Sequence, residues 1–131
     1  MNGSLDTNVV LRYILQDVPE QFRAARQLFS SATGPFLLAD TALIEIAFVM
    51  EREYGIDRVQ IAALLDRVMR LSVIVCNRSF FVDALELFVA HPALSMEDCC
   101  LAVQAKDGDA VPLYTFDKKL TRHVPYAKLL V

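Results

Sequence analysis

No stretch of this chain reaches the roughly 18 uninterrupted apolar residues that a membrane-spanning helix needs, although hydrophobic residues make up 55% of it. Its start also lacks a basic stretch followed by an apolar one, so no export signal is read there. A mean hydropathy of +0.37 is high for a small soluble chain, and the surplus points to a partner surface rather than a membrane. Cysteine is scarce: Cys76, Cys99 and Cys100 are odd in number and show no CxxC spacing. That usage fits a reducing cytoplasm in which thiols pack as small hydrophobes. With only His91 and His123 to join them, a zinc centre is not expected. The histidines have no Ser or Cys partner at a telling spacing, and a Gly-rich phosphate loop is missing. A net charge of −3 and a pI of about 5.3 exclude a basic coat, so any nucleic-acid contact must be local. Repeats, low-complexity tracts and Gly/Ser linkers are also lacking. The 131 residues therefore read as a single domain, 1–131, large enough to bury a core without staples.

What remains alternates short apolar runs with helical periodicity. "GSLD" supplies a short first strand, and "TNVVLRYILQ" reads as a helix broken at Asp17-Val18-Pro19. Pro19 starts a second helix through "EQFRAARQLFSS", closed by Gly34-Pro35, and "FLLA" is a buried strand. A helix around "LIEIAFVM" ends near Gly55, which suits a left-handed cap. Asp57 can cap "RVQIAALLDRVMRL", "SVIV" is a third strand, and "SFFVDALELFVA" is a helix stopped by His91-Pro92. Ser95 opens "MEDCCLAVQAK", which ends around Gly108; "VPLYTF" and "AKLLV" are the last two strands. Short apolar strands separated by helices indicate a parallel sheet covered on both faces. In such sheets chemistry gathers at the carboxyl ends of the strands.

One acid is conspicuous. Leu43, Ile46, Ala47, Met50 and Tyr54 follow the rhythm of a core-facing helix, and the other side carries Ile44, Phe48 and Val49. Glu45 is left with little water-facing surface. A buried unpaired carboxylate is costly, so it needs a basic partner, a metal or a cleft. Asp6 follows the first strand, Asp98 lies in the first turn of the helix before the fourth, and Asp117 follows the fourth. Sites after strands one, two and four of a doubly wound sheet open toward one edge, where these acids can converge. Like charges brought together call for a hard divalent cation such as Mg²⁺ or Mn²⁺. That ion can activate water and stabilise a phosphodiester during displacement. Thr115 beside Asp117 and Asn8 beside Asp6 could orient the water or an acid. Local roles compete: Ser95-x-x-Asp98 is a capping box, Asp6 can be an N-cap, Asp117 a turn residue, and Glu45 an arginine's partner.

The phrases "LDTNVVLRYIL", "LIEIAFVMEREYG", "MEDCCLAVQAK" and "LYTFDKKL", in this order and spacing, resemble the PIN domain, and most closely the VapC-type toxin ribonucleases of bacterial toxin–antitoxin pairs. The resemblance covers nearly the whole chain. It implies a three-layer α/β/α fold with a short-stranded, mostly parallel twisted sheet flanked by helices. It also implies Mg²⁺- or Mn²⁺-dependent cleavage of single-stranded RNA. The family's metal-binding acids fall on Asp6, Glu45, Asp98 and Asp117, with Thr115 as the supporting hydroxyl. "DCC" stands here in place of the more usual "DAL", which keeps the acid. "MNGSLD" is a poorer strand than the family's apolar start. A homodimer and a small VapB-type antitoxin are the implied partners. Asn8, Arg12, Lys118, Lys119 and Arg122 are candidates to meet RNA phosphates, or simply surface residues. Val10, Tyr13, Ile14, Phe48 and Met50 are candidates for the partner groove or the core.

A non-catalytic interaction module of the same fold would use the apolar surface and need no set of acids; metal-dependent RNA cleavage separates the two. A phosphoacceptor receiver domain shares the length, the early Asp and the late Thr and Lys. It needs an acid pair after strand one and an acid after strand three, whereas Asp6 precedes Thr7 and "SVIVCNR" ends without an acid.

Overall fold

Short polar side chains cap the starts of four helices in the computed structural model, which describes residues 1–131 as two units, Met1–Asn77 and Arg78–Val131. In the first unit, β1 (Gly3–Ser4) leads through the extended N-cap Asp6 into α1 (Thr7–Leu15). That helix stops where Gln16 turns left-handed at φ 55°. Pro19 then opens α2 (Pro19–Ser30) at a position where its missing N–H is no loss. β2 (Phe36–Leu37), α3 (Asp40–Arg52), α4 (Arg58–Met69) and β3 (Ile74–Val75) follow. Gly55 closes α3 at φ +62°, where a side chain would be strained, and the Ile56 N–H returns to the Met50 carbonyl at 3.1 Å. Asp57 caps α4 as its position suggests, accepting from the Gln60 N–H at 3.0 Å.

β2 lies between its neighbours, in parallel register Gly3↔Phe36 on one side and Phe36↔Ile74 on the other. Strands of two residues make few ladder bonds, so the apolar helix faces carry the stability. Val10, Leu11, Leu38, Leu43, Ile46, Met50 and Ile61 are all 1% exposed or less, each worth roughly 1.5–3 kcal/mol on burial. Val10 and Met50 are therefore core residues. Tyr13 is half-buried and meets Phe29 edge-on, with ring centroids 4.9 Å apart.

The second unit comprises α5 (Arg78–Ala90), α6 (Met96–Asp107), β4 (Leu113–Thr115), α7 (Lys118–His123) and β5 (Ala127–Leu129). α5 and α6 pack on each other, and Phe81, Phe88, Leu94, Cys99 and Ala102 are buried in this unit. Cys99 and Cys100 serve as small buried side chains, as their scarcity suggested. β4 and β5 pair in parallel, Tyr114 opposite Lys128. Tyr126 donates its hydroxyl to the Ala102 carbonyl at 2.6 Å. Burial, and then the charge of Asp107, push that phenol's pKa upward.

The α/β class with parallel strands between helices holds, with seven helices in all. Two features differ from expectation. The strands form two ladders, β1-β2-β3 and β4-β5, instead of one sheet; strands of two or three residues offer too few backbone groups to propagate a long ladder. α7 was not expected, because six residues are too few to show helical periodicity.

Candidate active site

Asp6 is exposed at the head of α1, where its Oδ2 accepts the Asn8 N–H at 3.4 Å. The next residue, Thr7, is 7% exposed and is the buried polar side chain of the chain. Its Oγ1 donates to Oε2 of Glu45 at 2.9 Å, tying α1 to α3. Asp6, Thr7 and Glu45 line one recess of about 240 Å³ with Leu5, Ala39, Thr41 and Ala42. The structure thus brings Asp6 and Glu45 together. It corrects the reason for singling Glu45 out, because Glu45 is exposed. Its apolar neighbour Phe48 is 55% exposed as well, so α3 presents a narrow outward stripe through Thr41, Glu45, Phe48 and Arg52. Glu45 meets neither an arginine nor a sealed core; it meets a cleft and a threonine. Sequence reasoning missed Thr7. The signal was a hydroxyl directly after Asp6 at the start of a helix whose later positions are apolar.

Asp98 and Asp117 belong to the second unit. Asp98 closes the capping box at the head of α6: its N–H donates to Ser95 Oγ at 3.0 Å, and its Oδ2 accepts the Ser95 N–H at 3.2 Å. Asp117 caps α7, Oδ1 accepting the Lys119 N–H at 2.8 Å, while its own N–H donates to Thr115 Oγ1 at 2.9 Å. The local roles are real for Asp6, Asp98 and Asp117. They do not exhaust these groups, because each of the four carboxylates uses one oxygen on a nearby donor and keeps the other.

No group of three or more His, Cys, Asp or Glu side chains stands ready as a metal cage. The donors within reach of the recess are carboxylate and hydroxyl oxygens without imidazole or thiolate, a chemistry that suits Mg²⁺ or Mn²⁺, which keep several waters. The residues fit such an ion.

Asn8 and Arg12 turn elsewhere, lining with Val9, Gln21, Ala24, Ala25 and Leu28 a groove of about 420 Å³ along α1 and α2. Arg12 is paired with Asp17 at 2.7 Å and donates to the Tyr54 hydroxyl at 3.3 Å. The Tyr54 bond first, then Asp17, raise the guanidinium's pKa. Burial pulls the Asp17 carboxyl up, but the bonds from Arg12, its own backbone and Tyr54 outweigh it and hold it below 3.8. A carboxyl depressed on folding stabilises above its unfolded pKa and loses that contribution as pH falls through the folded value. Wild type should therefore melt above Asp17→Asn at neutral pH, with the gap closing as pH drops below 3.8. Melting curves across that range check it; a gap independent of pH would remove the ion pair as its cause. Lys118, Lys119 and Arg122 are exposed on α7.

The PIN domain family model matches residues 4–124, and the chain belongs to that family. Its members are generally metal-dependent nucleases that bind nucleic acids. No curated protein and no solved structure matches the chain. No helix is long and apolar enough to cross a membrane.

Proposed function

We propose that the chain works as one PIN domain that cleaves single-stranded RNA with Mg²⁺ or Mn²⁺, as the VapC-like toxin of a type II toxin–antitoxin pair in the cytoplasm. The observation that carries this is the recess in which Asp6 and Glu45 stand together, Glu45 held by the buried Thr7. Asp6, Glu45, Asp98 and Asp117 would hold the metal. When bound, such an ion supplies a water of lowered pKa and neutralises charge on the phosphate. The chain's own part is positioning. Thr7 fixes one oxygen of Glu45, leaving the other for the ion. The Asp117 N–H occupies a lone pair of Thr115 Oγ1, so the hydroxyl proton remains free to steer a water or a phosphate oxygen. Asn8, Lys118 and Lys119 would meet the RNA backbone, and Arg12 would join them only by leaving Asp17. A homodimer and a small VapB-type antitoxin are the proposed partners, which would use the chain's apolar surplus.

The test is cleavage of single-stranded RNA by purified protein. Mg²⁺ or Mn²⁺ should support it, Ca²⁺ should substitute poorly, and excess EDTA should abolish it. Undiminished cleavage in EDTA, in a preparation free of contaminating nuclease, sinks the metal mechanism. Growth arrest on expression, relieved by a small DNA-binding protein encoded next to the gene, is the mark of the toxin role.

A further inference from the structure

Charge is distributed unevenly along this acidic chain. Residues 110–131 carry Lys118, Lys119, Arg122 and Lys128 against the one acid Asp117, whereas the whole chain has 13 Lys and Arg against 16 Asp and Glu. That segment is β4, α7 and β5. Exposure along β4 and the two residues after it alternates with the strand period. Leu113, Thr115 and Asp117 are half-buried, while Tyr114 is 58% and Phe116 70% exposed. The ladder repeats this on β5, where Lys128, paired with Tyr114, is exposed between half-buried Ala127 and Leu129. The Leu130 N–H still reaches the Thr115 carbonyl at 2.9 Å, so the pairing runs to the end of β4, and the chain bends at Phe116. Tyr114 and Phe116 are thus two exposed rings two residues apart, one in β4 and one at the bend that follows it. Lys128 is beside the first, and Lys118 and Lys119 follow the second.

Large aromatic rings left in water need an explanation, and a purely apolar partner would not favour ammonium groups among them. Aromatic faces interleaved with Lys are the surface that single-stranded nucleic acid fits: every base offers a π-face, and every linkage a negative charge. The geometry points to a base-stacking subsite for single-stranded RNA on Tyr114 and Phe116, with Lys118, Lys119 and Lys128 as phosphate contacts. It rests on the nuclease reading and extends it. Phe116 lies in sequence between Thr115 and Asp117, so a nucleotide stacked on it would be held directly beside the proposed metal ligand. The subsite would then help set which linkage reaches the acids.

The experiment is fluorescence anisotropy of a fluorescein-labelled single-stranded oligoribonucleotide, with Ca²⁺ replacing Mg²⁺ so that binding is read without cleavage. Phe116→Ala and Tyr114→Ala should each weaken binding about fivefold or more. Phe116→Trp should keep wild-type affinity, whereas Phe116→Leu, apolar but without a π-face, should fall with the alanine variant. Both side chains are exposed, so circular dichroism should be unchanged. An oligonucleotide with abasic positions should bind wild type and Phe116→Ala alike. Equal binding by wild type, Phe116→Ala and Phe116→Leu overturns the subsite. So does a loss of dimer in light scattering with RNA affinity intact, which would make the face a self-association surface. Absence of RNA binding by wild type also overturns it. Absence of cleavage with RNA binding intact and sensitive to Phe116 defeats the nuclease reading instead.

Discussion

Asp6→Asn and Glu45→Gln should each lose RNA cleavage by at least about a hundredfold while the metal-free protein melts no lower than wild type. Two carboxylates in one recess repel, and removing one charge relieves that repulsion by about 1 kcal/mol at most, because both are exposed and screened. Each replacement keeps the shape and an acceptor oxygen, so α1 can still be capped and Thr7 can still donate its hydroxyl. What the variants lose is Mg²⁺-induced stabilisation, since mass action then has no tight site to work through. In the second unit Asp98→Asn should be near neutral for the fold and equally damaging to cleavage. Asp98→Ala breaks the capping box and should cost a further 0.5–2 kcal/mol or so. Thermal melts with and without Mg²⁺, run beside a cleavage assay, decide between site and scaffold. If Glu45→Gln melts several degrees lower without metal and still cuts RNA, Glu45 is merely Thr7's structural partner.

For stability alone the largest loss should come from Phe81→Ala. Phe81 is 1% exposed on α5 and meets Phe80 edge-on, ring centroids 4.9 Å apart. Truncation loses transfer energy and leaves a cavity that surrounding side chains refill only in part, a cost of about 3–5 kcal/mol. Against a total of roughly 5–15 kcal/mol for a typical domain, that should lower the melting temperature by ten degrees or more. Denaturant titration measures it directly. A shift under about 1 kcal/mol would mean that α5 and α6 repack freely around the gap.

The helices of nine residues or more were legible because apolar spacing and capping residues agree: Asp57 and Ser95 cap the helices they precede, and Gly55 closes α3. α7 was not, since only Asp117, Leu120 and Val124 mark it, and three residues make no period. Asp6 and Glu45 stand out in the sequence as site candidates, Glu45 for a mistaken reason. Ile44, Phe48 and Val49 make the other side of α3 apolar in sequence, yet apolar character does not bury a residue, and Phe48 lies 55% exposed. Arg12 was legible only as a cation. Its bond to Tyr54, 42 residues on, depends on α1 and α3 lying side by side, which no local pattern encodes. Thr7 escaped notice for the same reason: its partner is 38 residues away.

Asp6, Asp98 and Asp117 have a placement in common with an electrical consequence. Each stands at the start of a helix, α1, α6 or α7, where the aligned peptide dipoles leave about half a positive charge. The backbone thus supplies part of the counter-charge that these carboxylates require, before any ion arrives. Glu45, in the second turn of α3, lies beyond that reach and has only the Thr7 hydroxyl. Under the nuclease reading, a cation completes a balance that is already partly struck, and Glu45 depends on it most.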